Sequence, residues 1–389
     1  VRSFPLGATV TRAQLHRDPY PVFAQLRAAE PVSWVPAIGQ WLVTSRDLAM
    51  DVLRDHERFR TDEATSPIRD TFGAQMLSTE GDDQRRYKSA CAPPFNARAV
   101  DASRALVEQI VGEQAGALPA SGSVELRVAY AAPIALATIA RVIGLPAALD
   151  AQLRAWYDTF ADALANYEAD ATTRTRAHAA VRAFHAAIAP RLAVPAADDR
   201  SLLAELARAH PRLLDDGEIG ANALIVLFGG IETTEGLIAN ALWALLQHPE
   251  ALARARASDD DLALAIEESL RWEPAVQTAT RYAARDVTLA GADIPRGAVV
   301  QCMLGAMNRD PAHVHDPDRY DPWRSDAPTH TAFGFGRHYC LGAALARLEA
   351  RLAIRALLDR SPTLALDHDR ARPPAGHEFR KVEALMVAI

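Results

Sequence analysis

Apolar positions repeat most regularly in DDGEIGANALIVLFGGIETTEGLIANALWALLQHP, residues 215–249. Leu224, Leu227, Ile231, Ile238, Leu242 and Leu245 fall near three- and four-residue steps, the repeat of one helical face, which predicts a helix of about 30 residues. Asp215 or Asp216 can cap its start, Glu218 complements its N-terminal dipole, and Pro249 stops it. A helix this long and apolar belongs in the centre of a fold. The pattern is helical almost throughout from about residue 98 to 257, with breaks at LPASGS, GLPAALD and VPAADD. Earlier, PYPVFAQLRAAE reads as a short helix, WLVTS as strand, and a further helix starts near Arg46. Between 272 and 330 the texture changes, and seven proline and glycine positions punctuate short β-like runs such as DVTLAGADIPRGAVVQCML, a predicted hairpin. After Gly342, ALARLEARLAIRALLDR puts Leu345, Leu348 and Leu352 on one helical face. The expectation is a mainly α fold with a small β portion, one domain over residues 1–389. Its helix-rich core falls at about 98–272 and 341–360, its β-containing portions at about 31–45, 275–305 and 361–389.

Composition narrows the function. The formal charge of −7 argues against a nucleic-acid partner, which needs a basic face for phosphates. Lysine occurs only at Lys88 and Lys381, so arginine supplies nearly all the positive charge. Cys91, Cys302 and Cys340 are odd in number and widely spaced, which fits no disulfide framework or zinc pattern and suits a reducing compartment. VRSFPLGATV is no signal peptide, and no run approaches 18 continuous apolar residues. A soluble, monomeric, cytoplasmic protein without membrane contact is expected.

Two stretches break the local rules. FGFGRHYCLG, Phe333–Gly342, places a cysteine in a glycine-rich turn at the start of a helix. A thiolate there is favoured by the helix dipole and free N–H groups, and a backbone without side chains can approach a flat partner. Such a sulfur can bind haem iron and push electron density toward bound oxygen. The alternative is a buried free cysteine in a tight turn. In the middle of the long helix, Gly229 and Gly230 each cost about 1 kcal/mol against alanine, and Glu232, Thr233 and Thr234 follow. Glycines open a helix surface for a flat ligand and a diatomic, and an acid beside a hydroxyl can relay protons. The alternative is a helix crossing at small residues.

The string Phe333-Gly334-x-Gly336-x-His338-x-Cys340-x-Gly342 resembles the haem-ligand signature of the cytochrome P450 family, and GGIETT resembles its oxygen-binding motif. The resemblance implies that fold, with haem b between the long helix and the cysteine loop. It implies Cys340 as the iron ligand, Gly334 and Gly336 against the porphyrin, His338 on a propionate and Phe333 shielding the sulfur. Glu232 and Thr233 would be the acid and the alcohol. Glu268 and Arg271 in EESLR, with Arg319 in DPDRYDPWR, resemble the Glu–Arg–Arg triad that buttresses the cysteine loop, and Arg281 matches a propionate-binding arginine. In EGDDQRRYKSACAPPF the family usually has a histidine and an arginine on the propionate; Gln84 and Lys88 stand there, unless the register shifts to Arg85 or Arg86.

The intact Glu-Thr-Thr implies a monooxygenase using O2 and two electrons rather than peroxide. With no bound flavin of its own, it would be fed by a separate ferredoxin and ferredoxin reductase docking near Arg85, Arg86, Arg337 and Arg347. Alternatives are the same scaffold diverted to phenol coupling or nitration, and a non-catalytic haem sensor or carrier. By family position the pocket for a small organic substrate, a natural-product intermediate, draws on 65–77, Phe160, Tyr167, Leu224, Phe228, Gly229, Ala275, Val276, Gln277, Thr278 and Phe379.

Overall fold

The computed structural model describes residues 3–164, 170–326 and 329–389. The periodic stretch forms one helix, Asp216–Gln247, of 32 residues. Its start is held reciprocally: Glu218 N donates to Asp215 Oδ1 at 2.8 Å, and Asp215 N donates to Glu218 Oε2 at 3.0 Å. It ends before Pro249, which lacks the N–H to continue and instead opens the helix Pro249–Ala257. The six periodic residues are all buried, against the helices Ala132–Ile143, Asp259–Trp272 and Ala343–Arg360 and the strand Lys381–Ala384. Among the described residues this is the one helix long and apolar enough to cross a membrane, and most of it lies inside the protein as a core helix.

The β portion centres on a five-stranded sheet ordered Val32–Val35, Gln40–Val43, Val299–Met303, Thr278–Ala283, Phe59–Arg60. All neighbours are antiparallel except Gln40–Val43 with Val299–Met303, a parallel pair whose crossover is nearly the whole helical body. The hairpin expected over DVTLAGADIPRGAVVQCML forms only in its first half. Val287–Leu289 pairs with Ala292–Ile294 around Ala290 and Gly291, whose φ of 49° and 79° are those of a two-residue primed turn. Val299–Met303 leaves it to pair inside the larger sheet, where Val300, Gln301, Cys302 and Met303 are all buried. A strand, Ser123–Glu125, starts at the last residue of the break LPASGS and pairs with Met386–Ala388; the sequence pattern shows the break but not the strand, since three residues are too few to show a period of two. A C-terminal hairpin, Arg372–Ala375 with Lys381–Ala384, brings Phe379 and Lys381 against the central helix.

Candidate active site

The cysteine loop closes on itself before the helix Ala343–Arg360 begins. Gly334 N donates to Thr331 O at 2.8 Å and Cys340 N to Phe333 O at 2.9 Å. Gly334 and Gly336 have φ of +74° and +73°, a region that strains any residue with a Cβ. Cys340 has open surface although protein surrounds it, as at the floor of a recess. Burial raises its thiol pKa, but a hydrogen bond from the Gly342 N–H and the charges of Lys88 and Arg347 oppose that rise. Cys91 and Cys302 are buried, and burial pushes each thiol up to about 12. The Phe333 ring lies under the Arg347 guanidinium at 4.5 Å and beside Tyr339 at 6.4 Å.

Three polar assemblies hold the loop. Arg271 grips Glu268 through two bonds of 2.7 Å, one helical turn apart and both buried. The second arginine on Glu268 is Arg324, Nε to Oε1 3.2 Å, and not Arg319. The Arg319 side chain is 68% exposed and, among the described residues, its one ion pair is with Asp321, at 3.9 Å. What Arg319 contributes is its carbonyl, which accepts from Arg271 and Arg324, so its side chain points outward while the turn at Pro322 brings Arg324 back. Arg271 also donates to Asn308 O at 3.1 Å, and the Asn308 side chain accepts from Thr331 N at 2.7 Å. The triad thus reaches the loop through Asn308 and Thr331.

The second assembly is built on Glu80. Its carboxylate lies 3.1 Å from His338 Nε2, 3.3 Å from Arg337 and 3.1 Å from Thr61 N. Burial alone would raise its pKa, but His338, Thr61 and Arg281 outweigh that and hold it down to about 2. Burial, with Arg281 and Lys88, keeps the His338 pKa below the ordinary histidine range against the pull of Glu80. The third comes from the helix Gly81–Cys91, whose loop-facing side carries Gln84 and Lys88. Arg85 and Arg86 point elsewhere, to Asp82 and to Asp83 and Glu218. All four arginines expected at a docking face have internal carboxylates, since Arg337 binds Glu80 and Arg347 binds Glu267.

Arg281, on the strand Thr278–Ala283, is buried, and its Nε has no partner while one terminal nitrogen donates to Thr280 O at 2.9 Å. An unpaired buried guanidinium N–H is costly unless an acceptor is at hand.

Across the core, the two adjacent glycines separate. Gly229 keeps open surface in a helix whose neighbours are mostly buried, and a Cβ there would meet nothing within 4 Å. A Cβ on Gly230 would meet Ile139 at 2.4–2.9 Å, so Gly230 is a helix-crossing residue and not part of the open face. The helix-crossing reading thus applies to Gly230, while Gly229 has the open surface that the other reading needs. Thr233 Oγ1 donates to Gly229 O at 2.6 Å. Glu232 is paired with Lys381 Nζ at 2.7 Å, and Lys381 also holds Glu235 at 3.0 Å.

The expected pocket residues divide. Phe228 meets Tyr157 in a stacked contact at 5.5 Å, Phe72 at 5.7 Å and Phe379 at 6.1 Å, and Phe72 meets Phe160 at 5.2 Å. Tyr157, which the sequence reading missed, is one turn before Phe160, a signal available in the spacing. Leu224 and Ala275 are buried, Ala275 against Gly236, and Val276 bridges to Phe379. Thr278 is half-buried at the start of its strand. Gln277 turns away, donating to Pro274 O at 2.9 Å and Tyr20 Oη at 3.2 Å. Tyr167 lies outside the described residues.

A family model for Cytochrome P450 matches residues 262–377. Cytochrome P450 monooxygenase PikC of Streptomyces venezuelae is 37% identical over 364 residues, 90% of this chain and 85% of its own length. The 6-deoxyerythronolide B hydroxylase of Saccharopolyspora erythraea is 32% identical over 376 residues, 91% of each chain. Among solved structures, CalO2 superposes with a TM-score of 0.88 at 30% identity, covering 100% of this chain and 99% of its own. P450BioI, in complex with hexadec-9Z-enoic acid ligated Acyl Carrier Protein, superposes with a TM-score of 0.86 at 30% identity, covering 98% and 100%.

Proposed function

We propose that this chain, which belongs to the cytochrome P450 family and is a monooxygenase of that fold, oxidises a small, largely apolar natural-product intermediate. The two electrons would come from a separate ferredoxin and its reductase, to a cytoplasmic monomer holding haem b and no flavin. When bound, the haem iron supplies reductive activation of O2, one oxygen atom entering the substrate and the other leaving as water. The residues fit such a flat, anionic, iron-bearing group. Arg281 has a buried unpaired N–H for a propionate, Gly229 leaves room beside the central helix, and the left-handed glycines keep side chains off the loop.

The observation that carries this reading is the contrast among the three thiols. Cys340 alone has open surface and an N–H donor that opposes the rise of its pKa, together with the charges of Lys88 and Arg347, as an iron ligand needs. Cys302 has only the charge of Arg281, and Cys91 has neither. On the opposite side the Thr233 hydroxyl would rotate off Gly229 O to pass a proton, with the Glu232 carboxylate held at hand by Lys381. The rings of Phe72, Tyr157, Phe160, Phe228 and Phe379 exclude water and favour a substrate with apolar faces.

The test is a reconstituted assay. Reduced protein under CO should show the strongly red-shifted Soret band of thiolate ligation, and candidate substrates should drive NAD(P)H consumption with a surrogate ferredoxin, matched by product. A thiolate band without substrate-dependent turnover across a broad panel would favour a sensor or carrier.

A second reading of substrate delivery has its own observation. The helix Ala171–Ala193 contains four arginines and no acid, and Arg174, Arg176 and Arg182 are exposed. Arg174 and Arg176 have carboxylate neighbours, but Arg182 has none among the described residues. A substrate presented on an acidic carrier protein would meet that face. Arg182→Glu should then lower turnover of the carrier-bound substrate and leave that of the free substrate unchanged.

A further inference from the structure

We infer that Lys88, backed by Gln84, is a clamp on the backbone of the cysteine loop rather than a ligand of a haem propionate. The inference rests on Cys340 being the iron ligand. Lys88 Nζ donates to Arg337 O at 2.6 Å and to Tyr339 O at 2.7 Å, and Gln84 Nε2 donates to Arg337 O at 3.1 Å. Three donors from one face of a helix therefore meet two carbonyls, one of them on the residue just before the ligand. Those carbonyls belong to a turn that precedes a helix, where no helical N–H can reach them. Two of the three ammonium N–H groups are spent on the loop.

The clamp has a firm base. The helix that carries it, Gly81–Cys91, is tied to the start of the central helix, because Arg86 and Tyr87 both bond Glu218, at 2.7 and 3.0 Å. Residue type matters here. A single ammonium can converge on two carbonyls from one point, whereas a guanidinium spreads its donors in a rigid plane suited to carboxylates. Lysine at position 88 fits a clamp better than it fits a propionate. The propionate contact then falls to Arg281, the buried cation with an unpaired N–H.

The two roles predict opposite outcomes in the holoenzyme. For Lys88→Met, the clamp requires the reduced CO complex to lose its thiolate band at least roughly ten- to a hundredfold faster, the fold-change of one of its two charge-assisted hydrogen bonds. Backbone amides of residues 338–341 should exchange hydrogen faster, while haem transfer to apomyoglobin stays near the wild-type rate. Lys88→Arg should restore the band only in part. Faster haem transfer with unchanged band lifetime and exchange, or full restoration by arginine, would overturn the clamp in favour of a propionate contact. Should Lys88→Met fail to fold, Gln84→Leu removes one of the three bonds and keeps the lysine. It should speed exchange at Tyr339 and Cys340 by less than tenfold, and no change there would also overturn the clamp. A wild-type protein without any thiolate band would instead overturn the functional reading itself.

Discussion

The two walls of the site are built from different interactions. The cysteine wall is a lattice of charge-assisted hydrogen bonds, in which Glu268, Glu80, Lys88 and Asn308 each hold backbone or a second charge. The central-helix wall is made of glycine surface, one back-bonded hydroxyl and stacked aromatic rings. On the proposed function the first wall fixes a sulfur against iron, which directional bonds suit. The second would then admit O2 and a substrate, and contacts without fixed directions can adapt to both. It follows that function and stability are inseparable on the first wall and separable on the second.

The strongest test of that contrast is the buried triad. Arg271→Leu leaves Glu268 charged and buried beside Arg324 alone, which should cost about 3–5 kcal/mol. It should also abolish the thiolate CO band, since the loop is reached through Asn308 and Thr331. Arg319→Ala is the control and should change stability by less than about 0.5 kcal/mol. Chemical denaturation of the holoproteins, with the CO spectrum recorded alongside, checks both. A large loss in Arg319→Ala would restore Arg319 to the triad in place of Arg324.

Glu80 extends the same wall into pH dependence. Its folded pKa of about 2 lies below the usual 4.5, so the stabilisation it gives is complete above that usual value. It is lost as pH falls from about 4.5 through 2, where the folded carboxylate takes up a proton. Wild type should therefore exceed Glu80→Gln in stability by a constant amount near neutrality, with the gap closing in that acid window. A gap independent of pH would mean that Glu80 acts by shape alone.

The legibility of the chain follows this division. The cysteine turn could be read because its chemistry is local: left-handed glycines, a helix start and a sulfur within ten residues. Glu268 and Arg271 could be read because one helical turn places them together. Arg324 could not, since the turn at Pro322 decides which arginine returns to Glu268, and no periodicity reports it. Nor could the pairing of Lys381 with Glu232, which depends on where a C-terminal hairpin docks. Gln277 was misplaced because strand alternation does not say which face the central helix covers. On the aromatic wall Phe228 and Phe160 were within reach of family position, but their ring contacts with Tyr157 (stacked on Phe228) and Phe72 (edge-to-face with Phe160) are tertiary.

The adjacent glycines test the second wall with effects of opposite sign. Gly230→Ala drives a Cβ into Ile139 and should destabilise by about 1–3 kcal/mol through overpacking. Ile139→Ala should relieve most of that loss. Gly229→Ala meets open space and should stabilise the helix by up to about 1 kcal/mol, yet weaken substrate-induced spin-state shifts by narrowing the recess. Thermal denaturation and spectral titration separate the two. Equal destabilisation by both alanines would mean that Gly229 also faces protein.

Thr233→Ala should have the smallest effect on stability and the most informative one on function. The hydroxyl makes one hydrogen bond, to Gly229 O, which is already bonded as a helical carbonyl, and such back-bonds add little to a helix. Stability should stay within about 0.5 kcal/mol of wild type, and the CO band should be unchanged because no cysteine-loop contact is touched. What changes is proton delivery. On the proposed role of the hydroxyl, its loss should let reducing equivalents escape as peroxide, and product formed per NAD(P)H consumed should fall severalfold. Thr233→Ser keeps the hydroxyl and should restore coupling. Thr234 is buried and on another face of the helix, so it is poorly placed to substitute. If Thr233→Ala were fully coupled and Thr234→Ala were not, the alcohol of this wall would be Thr234. A loss of stability in step with the loss of coupling would remove the distinction between the two walls, because the open face would then be as tightly bound into the fold as the loop opposite.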